Sequence, residues 1–229
     1  MYHEASGCWY VLRSATNFTQ AWAPRCWGGP GYTAVAGDYD GDGVADYAVY
    51  HEVSGYWSVL KSSTGNTESL VKGWGGLGYK PVTGDYDGDG KTDFAVYQPA
   101  NGNWSVLTSG SNYTSSINKP LGGPGYTPVT GDFDGDGKTD LAVYYEAGES
   151  WQVLQSSGGF ATAMGRRWGG VGYAAVPGDF DGDGKADFAV YSTTTGWWYV
   201  LCSMGDFTDT IVVPWGGSGY IALPRYPGY

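Results

Sequence analysis

The sequence has few basic residues and lacks a long apolar run. Its 229 residues include 12 lysines and arginines against 23 aspartates and glutamates, which gives a formal net charge of −11. A protein that binds a nucleic-acid backbone needs a basic face, so the charge balance argues against nucleic acid as a partner. No stretch of about 18 consecutive apolar residues is present, and we therefore expect no membrane insertion.

The start of the chain also lacks the features of a secretory signal peptide. The opening residues MYHE have no basic start and are followed by no apolar segment. If the protein is exported, we expect its signal to have been removed or to lie elsewhere in the precursor. Only 3 cysteines are present, and this odd number excludes a fully paired intramolecular disulfide framework.

Glycine and aromatic residues, in contrast, are abundant. The chain contains 40 glycines, 11 tryptophans and 20 tyrosines, and aromatic residues make up 17% of it. Disordered acidic chains are poor in aromatic residues, so this composition indicates a folded protein.

A period of 47 residues organises the chain. Near-identical acidic segments of the type DYDGDGKTDFAVY open at Asp38, Asp85, Asp132 and Asp179. A second motif, GG-x-GY, ends at Tyr32, Tyr79, Tyr126, Tyr173 and Tyr220. A third, W-x-V-L, begins at Trp9, Trp57, Trp104, Trp151 and Trp198. Two motifs thus occur five times, whereas the acidic motif occurs four times.

Each repeat is predicted to form four short strands. In the second complete repeat these are residues 79–86, 94–98, 104–108 and 115–119, where apolar residues are continuous or alternate and glycine or proline separates the runs. No segment has a helical period with caps. Four-stranded units of this size, repeated five times, predict an all-β, five-bladed β-propeller that forms a single domain over residues 1–229.

The frame of the repeat predicts how the ring closes. The chain starts inside a second strand and ends after a first strand at residues 220–223. One blade would then combine this C-terminal first strand with the N-terminal second, third and fourth strands, which leaves only short outer edges. Both termini would fall where a fifth acidic loop belongs, which accounts for its absence.

The acidic segments have the spacing D-x-D-x-D-G-x-x-D, which indicates cation binding. Four carboxylates within nine residues repel one another unless a cation neutralises them. Glycine permits the sharp bend, and a backbone carbonyl at the seventh position can complete an oxygen shell, which favours Ca²⁺ over Mg²⁺. The predicted ligands are Asp38, Asp40, Asp42, Val44 and Asp46; Asp85, Asp87, Asp89, Lys91 and Asp93; Asp132, Asp134, Asp136, Lys138 and Asp140; and Asp179, Asp181, Asp183, Lys185 and Asp187.

Two alternatives to a calcium loop stay open: a solvated polar hairpin without metal, and a catalytic carboxylate pair. An EF-hand is excluded, because its twelfth position requires a bidentate glutamate and here carries valine. These valines are Val49, Val96, Val143 and Val190. We expect four Ca²⁺ ions with a structural role rather than a switching one.

The segment GDYDGDGKTDFAVY at residues 84–97 resembles the FG-GAP or VCBS repeats of bacterial secreted proteins. It is also similar to the calcium-binding blades of integrin α-subunit propellers. The resemblance covers essentially the whole chain, and it implies Ca²⁺ in the loop between the first and second strands of a blade, and an extracellular or cell-surface location. The repeat is shorter than an integrin blade and occurs five times rather than seven, so the blade number comes from this chain alone.

The cysteines include one candidate pair. If the third and fourth strands of the closing blade form a hairpin that turns near residues 15–17, Cys8 and Cys26 lie opposite each other. A cross-strand disulfide would then staple the blade that lacks an acidic loop. The alternative is two free thiols. Cys202 is expected to be unpaired.

The glycine-rich loops offer candidate ligand sites at the rim opposite the acidic loops. Aromatic rings beside exposed polar groups commonly hold sugars, whereas the alternative is that these rings pack blade against blade. Packing is the preferred interpretation for the W-x-V-L tryptophans. The candidate ligand-binding residues are Trp27, Tyr32, Trp74, Tyr79, Tyr126, Trp168, Tyr173, Trp215 and Tyr220, with Leu121 at the one position that lacks the tryptophan.

These features favour a non-catalytic, monomeric, extracellular binding module, a calcium-stabilised lectin-like propeller with several equivalent weak sites. The first alternative is a protein–protein adhesion or scaffold module of a larger secreted protein, with a cell-surface protein as its partner. The second is a five-bladed glycosidase, which is disfavoured because the acids outside the loops form no evident pair. Those acids are Glu4, Glu52, Glu68, Glu146, Glu149, Asp206 and Asp209.

Overall fold

The computed structural model of the protein describes residues 1–217, 219, 220 and 222. It is all-β, and its five antiparallel sheets give the five-bladed β-propeller that the repeat predicts. The contacts divide the chain into two compact units, Met1–Pro81 and Val82–Tyr229. In the described part of the chain, no helix is long and apolar enough to span a membrane.

The first unit contains two sheets whose strands pair in chain order. The N-terminal sheet consists of β1 (Tyr2–His3), β2 (Cys8–Trp9) and β3 (Arg25–Cys26). The next consists of β4 (Tyr32–Ala34), β5 (Tyr47–His51), β6 (Tyr56–Leu60) and β7 (Ser69–Gly73). One-turn 3₁₀ helices at Ser14–Thr16 and Ser62–Thr64 follow β2 and β6.

Three further sheets follow, with the same order of pairing. The first consists of β8 (Lys80–Gly84), β9 (Asp93–Gln98), β10 (Asn103–Leu107) and β11 (Ser116–Pro120). The second consists of β12 (Tyr126–Gly131), β13 (Asp140–Tyr145), β14 (Ser150–Gln155) and β15 (Thr162–Arg167). The third consists of β16 (Tyr173–Ala175), β17 (Phe188–Ser192), β18 (Trp197–Leu201) and β19 (Thr210–Pro214). A 3₁₀ turn at Glu146–Gly148 joins β13 to β14.

In the four four-stranded sheets, most of the core lies on the second and third strands. On β9, the side chains of Phe94, Ala95, Val96 and Tyr97 are all at most 1% exposed, because a strand covered on both faces is apolar without alternation. On β10, the buried Trp104 alternates with the half-buried Ser105. Four of the five W-x-V-L tryptophans are therefore core residues: Trp57, Trp104 and Trp151 are at most 1% exposed and Trp9 is 7% exposed, whereas Trp198 is half-buried.

The strand boundaries agree with the sequence-based prediction to within two residues in the second repeat. The predicted closing strand at residues 220–223 lies outside the described residues, since Ile221 and Leu223 are not described. The N-terminal sheet accordingly has three described strands.

In that sheet, Cys8 on β2 lies directly opposite Cys26 on β3, and the structure joins the two by a disulfide. The connection between the strands turns through Ser14–Thr16, close to the predicted position. Cys202 is a free thiol and is only 4% exposed.

Candidate metal centres in the acidic loops

Each acidic segment forms the connection between the first and second strands of a blade. We number these connections loop 1 (38–46), loop 2 (85–93), loop 3 (132–140) and loop 4 (179–187). Loops 2 and 3 end on the first residues of β9 and β13, Asp93 and Asp140. In loops 1 and 4, Gly37 and Gly178 form isolated bridges with the last aspartate, Asp46 or Asp187.

The structure brings three carboxylates together in every loop. In each group, one oxygen from each side chain lies within 4.8 Å of the others. The groups are Asp38, Asp40 and Asp42; Asp85, Asp87 and Asp93; Asp132, Asp134 and Asp136; and Asp179, Asp181 and Asp187. The fourth predicted carboxylate of each loop (Asp46, Asp89, Asp140 or Asp183) is not a member of its group.

Backbone amides of the loop itself orient the first carboxylate. In loop 2, Asp85 Oδ1 accepts a hydrogen bond from the amide of Gly88 (2.6 Å) and Oδ2 accepts one from Gly90 (2.8 Å). Loops 1, 3 and 4 repeat both bonds. Gly88 and Gly90 have φ of +80° and +86°, values that glycine adopts without steric cost. The glycines therefore allow the turn to fold around the carboxylate.

The last aspartate of each loop is buried beside its acidic neighbours. Asp93, Asp140 and Asp187 are 0% exposed and Asp46 is 2% exposed. Burial raises the pKa of Asp93 to about 7, with a smaller contribution from the charge of Asp87, although amide donors from Ser109 and Tyr86 oppose the shift. Burial also raises the pKa of Asp140 to about 7 and raises those of Asp46 and Asp187. Ionising these carboxylates is therefore costly unless a cation compensates.

A serine from the connection between the third and fourth strands completes each centre, and the sequence analysis did not identify it. The amide of Ser109 donates to Asp93 Oδ1 (2.7 Å), and Ser109 Oγ lies 2.9 Å from Asp89 Oδ1 and 2.8 Å from Asp93 Oδ1. In the other three centres, the serine amide bonds to the last aspartate and its hydroxyl to the third. The serines are Ser62, Ser109, Ser156 and Ser203. Their 47-residue spacing, two positions after the W-x-V-L leucine, is the signal that could have found them.

The predicted carbonyl ligands have less direct support. Val44 O accepts a hydrogen bond from Ser62 Oγ at 3.2 Å, so it faces the centre of loop 1. The amides of Lys91, Lys138 and Lys185 each donate to the aspartate two residues earlier, which fixes the backbone at these positions. Their carbonyls as metal ligands stay a prediction.

The donor chemistry of all four centres fits a hard divalent cation. Each offers at least three converging carboxylate oxygens on a turn already ordered by its own amides. Oxygen-only sets of this kind suit Ca²⁺ better than Mg²⁺, which keeps several waters and demands stricter geometry. The four clusters can therefore hold metal ions.

Two of the rim tryptophans donate hydrogen bonds to a strand of the next sheet, and another is largely exposed. Trp27 is half-buried and donates its indole N–H to Ser58 O (3.0 Å) on β6, and Trp168 donates to Tyr199 O (3.3 Å) on β18. Each contact joins neighbouring sheets within one unit, as the packing alternative requires. Trp74 is half-buried, whereas Trp215 is 77% exposed. Leu121 packs against the core.

Three of the rim tyrosines of the GG-x-GY motif pack against another ring, and one is largely exposed. Tyr32 packs on His51 with ring centroids 4.8 Å apart, Tyr126 stacks on Tyr145 at 4.9 Å, and Tyr173 meets Tyr199 edge-on at 5.6 Å. Tyr79 is half-buried, and Tyr220 is 68% exposed.

A second set of tyrosines, which the sequence analysis missed, holds the glycine-rich turns. The Tyr97 hydroxyl accepts a hydrogen bond from the amide of Gly123 (2.9 Å) and lies 3.3 Å from its carbonyl oxygen. Tyr2, Tyr50, Tyr144 and Tyr191 make the same pair of contacts with the turn that follows them. The sequence signal for this contact is the nearly constant offset between the tyrosine and the second glycine of the pair, 26 residues in four repeats and 27 for Tyr2. The turn is therefore shaped by the fold itself.

Several acids outside the loops are engaged with nearby groups. Glu52 accepts a hydrogen bond from Thr33 Oγ1 (2.7 Å), and Glu146 accepts one from the amide of Gly172 (2.7 Å). Three others form ion pairs of 3.6–3.9 Å: Lys61 with Glu68, Arg166 with Asp206 and Arg167 with Glu149.

Comparison with protein families finds matches to two parts of the repeat array. Residues 85–143, which include loops 2 and 3, match an FG-GAP-like repeat, and residues 171–196, which include loop 4, match an FG-GAP repeat. Comparisons with curated proteins and with solved structures give no match. FG-GAP repeat propellers are generally non-catalytic modules for binding or adhesion, and their repeats are typical of extracellular proteins.

Proposed function

Because the chain is an FG-GAP-type repeat propeller, we propose that it is a non-catalytic extracellular binding module whose four acidic loops each hold one Ca²⁺ ion. One observation carries the calcium proposal: three carboxylates converge within 4.8 Å in each of four separate loops, the first two aspartates in every case and either the third or the last as the third member. A solvated polar hairpin gives no reason for the burial of the last aspartate in each loop.

Calcium in these loops would be structural. The ion would supply positive charge that offsets both the mutual repulsion of the carboxylates and the cost of burying the last aspartate. At a free Ca²⁺ concentration about a hundredfold above the dissociation constant, each site contributes about 2.7 kcal/mol to the free energy of unfolding. Four sites would together approach the whole stability of an ordinary domain.

The calcium proposal is tested by counting ions and by thermal unfolding. Equilibrium dialysis should find four Ca²⁺ ions per wild-type chain and three in a variant with Asp87→Ala and Asp89→Ala. Asp206→Asn, which changes an exposed acid outside the loops, should retain four. Chelation should lower the melting temperature strongly. An unchanged melting curve in chelator would refute structural calcium.

For the surface ligand we propose carbohydrate, held by exposed aromatic faces of the glycine-rich rim. Trp215 and Tyr220 are 77% and 68% exposed, and an exposed ring can cover the apolar C–H face of a sugar while neighbouring polar groups bond its hydroxyls. Trp27 and Trp168 already donate their indole N–H groups to backbone oxygens. We therefore expect Trp215 to contribute more to sugar binding than either of them.

The alternative function, adhesion to a cell-surface protein, is supported by a different feature of the glycine-rich rim. The variable position of GG-x-GY carries Leu77 and Val171, which are 79% and 78% exposed. Exposed aliphatic side chains on a shaped loop suit a protein partner better than a sugar.

A glycan array, screened in calcium and again in EDTA, separates the two ligand classes. Carbohydrate binding predicts calcium-dependent signals that Trp215→Ala abolishes and Leu77→Ser leaves intact. If the folded protein binds no glycan in calcium, the carbohydrate proposal is wrong and adhesion is the remaining function. Capture of a cell-surface protein that Leu77→Ser and Val171→Ser weaken would then support adhesion.

We also propose that the protein is a monomer located outside the cell or at its surface, and that residues 1–229 form one domain. Light scattering coupled to gel filtration tests whether the protein is a monomer. A single cooperative unfolding transition, seen equally by probes in Met1–Pro81 and in Val82–Tyr229, tests whether the chain forms one domain.

A further inference from the structure

Loops 2 and 3, which belong to neighbouring blades of the second unit, are directly hydrogen-bonded to each other. The amide of Thr139 donates to the carbonyl oxygen of Asp85 at 2.6 Å, and the amide of Asp85 donates to Thr139 Oγ1 at 3.1 Å. Asp85 is the first predicted ligand of loop 2. Thr139 directly precedes Asp140, the last predicted ligand of loop 3. One hydrogen bond and one peptide unit therefore connect Asp85, a predicted ligand in loop 2, to Asp140, a predicted ligand in loop 3.

Loops 3 and 4 are linked in the same way, but by fewer bonds. The amide of Ala186 donates to the carbonyl oxygen of Asp132 at 2.6 Å. Ala186 precedes Asp187, as Thr139 precedes Asp140. Because alanine has no hydroxyl, the bond that Thr139 Oγ1 accepts has no counterpart here. The chain thus contains a natural comparison between a two-bond link and a one-bond link.

Close packing accompanies both links. A Cβ placed on Gly88 of loop 2 would lie 2.8–3.1 Å from the side chain of Lys138 in loop 3, and one on Gly135 of loop 3 would lie 3.0 Å from Lys185 in loop 4. A Cβ placed on Gly84 would lie 2.7–2.9 Å from the side chain of Thr139. Thr139 and Asp140 are 2% and 0% exposed. A shift of the backbone in one loop must therefore be accommodated by the next.

We infer that cation binding at loops 2, 3 and 4 is positively cooperative between neighbours and is transmitted through the Asp85–Thr139 and Asp132–Ala186 contacts. The inference rests on the proposed function, since it requires the loops to bind cations. An ion that fixes the backbone of Asp85 also fixes Thr139 and hence Asp140, so the neighbouring loop loses less conformational freedom when it binds its own ion. The link between loops 2 and 3, which has two bonds, should couple more strongly than the link between loops 3 and 4.

Variants with two intact loops test this coupling. A loop is disabled by replacing its second and third aspartates with alanine, which leaves the linking residues unchanged: Asp40 and Asp42, Asp87 and Asp89, Asp134 and Asp136, or Asp181 and Asp183. Variants that keep loops 2 and 3, loops 3 and 4, or loops 2 and 4 are titrated with Ca²⁺ by calorimetry. The pair of loops 2 and 3 should bind its second ion roughly five- to tenfold more tightly than its first. Loops 3 and 4 should show a smaller enhancement, and loops 2 and 4 should bind independently.

Single substitutions in the otherwise wild-type chain keep the test independent of how well the multiple variants fold. Thr139→Ala should make the calcium titration less steep, and Ala186→Thr, which adds the missing hydroxyl beside Gly131, should make it steeper. Equal, independent binding by all three pairs, or a titration unaffected by both substitutions, overturns the coupling while leaving four-ion binding intact. If wild-type protein binds no Ca²⁺, the proposed function itself is wrong, and that result is recognised before any variant is compared.

Discussion

The amide of Ser109 lies 2.7 Å from Oδ1 of Asp93, a carboxylate sixteen residues earlier in the chain that is completely buried. The serine hydroxyl adds contacts to Asp89 and Asp93. The acidic loop is thus tied to the connection between the third and fourth strands of its own blade. Since all four blades that carry an acidic loop repeat the arrangement, each centre is assembled from two segments of chain rather than from one loop.

Replacement of Ser109 by alanine should therefore destabilise the protein. The variant retains the amide but loses the hydroxyl, which lies within hydrogen-bond distance of two carboxylates and donates to one of them; a hydrogen bond to a charged group contributes about 1.5–3 kcal/mol. We expect a loss of about 2 kcal/mol in the free energy of unfolding, measured by denaturant titration in calcium. Ser116→Ala, on the exposed start of β11, is the matched control and should change stability little. Equal effects of the two substitutions would contradict a special role for Ser109.

Without metal, mild acidification should stabilise the protein. Burial raises the pKa of Asp93 and Asp140 to about 7, against about 3.9 for an unfolded aspartate. The folded state therefore binds protons more tightly, and stability rises as the pH falls from 8 towards 4.

Thermal melting in calcium-free buffers at pH 8, 7, 6 and 5 tests this pH dependence. The melting temperature should rise by several degrees over this range, and an Asp93→Asn, Asp140→Asn double variant should show a weaker rise. In excess calcium the trend should shrink or reverse, because protons then compete with the cation. A melting temperature that falls steadily from pH 8 to pH 5 in the metal-free protein would show that these carboxyls are not protonated on folding.

The fold was predictable because the same four-strand pattern recurs every 47 residues, so the sequence shows that pattern several times. Strand boundaries in the second repeat agree to within two residues, and the register that places Cys8 opposite Cys26 followed from aligning the repeats. In the acidic loops, three of the four predicted carboxylates in each loop converge. These features depend on residues that lie within one repeat, at most 18 positions apart.

Most of the contacts that sequence reasoning missed join more distant segments than these. Tyr97 reaches Gly123, 26 residues away, and Asp85 bonds Thr139, 54 residues away. The period shows that such residues recur, but recurrence alone does not say which hydroxyl reaches which backbone group. That choice depends on the twist and packing of the blades. The same reason explains why Trp27 and Trp168 could not be assigned to packing from the sequence.

The Cys8–Cys26 disulfide should account for much of the stability of the N-terminal sheet. Strands β1, β2 and β3 are two residues long, so few hydrogen bonds hold them together. A cross-link that closes a connection of this size contributes about 3 kcal/mol by reducing the entropy of the unfolded chain. The Cys8→Ser, Cys26→Ser double variant should lose stability and show faster amide exchange at Trp9 and Arg25. A reducing agent should reproduce the loss in the wild type and leave the variant unchanged; amide exchange unaffected by both treatments would contradict the prediction.

Phe18, after β2, and Phe160, after β14, occupy equivalent positions of the repeat. Both have a left-handed backbone, with φ of 57° and 59°. This conformation is costly for a bulky side chain, whereas asparagine tolerates it better, and asparagine occurs at the corresponding Asn66, with φ of 63°. Phe18 is 61% exposed and Phe160 is 6% exposed. Phe18→Asn should therefore relieve strain and raise the free energy of unfolding by about 1 kcal/mol, because little apolar contact is lost.

Phe160→Asn relieves the same strain but removes an aromatic ring from the core around Tyr86 and Trp104. Truncation of a buried phenylalanine costs about 3–5 kcal/mol, so the net effect should be a loss of at least about 2 kcal/mol. Denaturant titrations of both variants in calcium measure the two effects under identical conditions. If Phe18→Asn destabilises the protein as much as Phe160→Asn does, the exposed phenylalanine makes a stabilising contact that outweighs its backbone strain, and the left-handed turn is not what limits stability at this position.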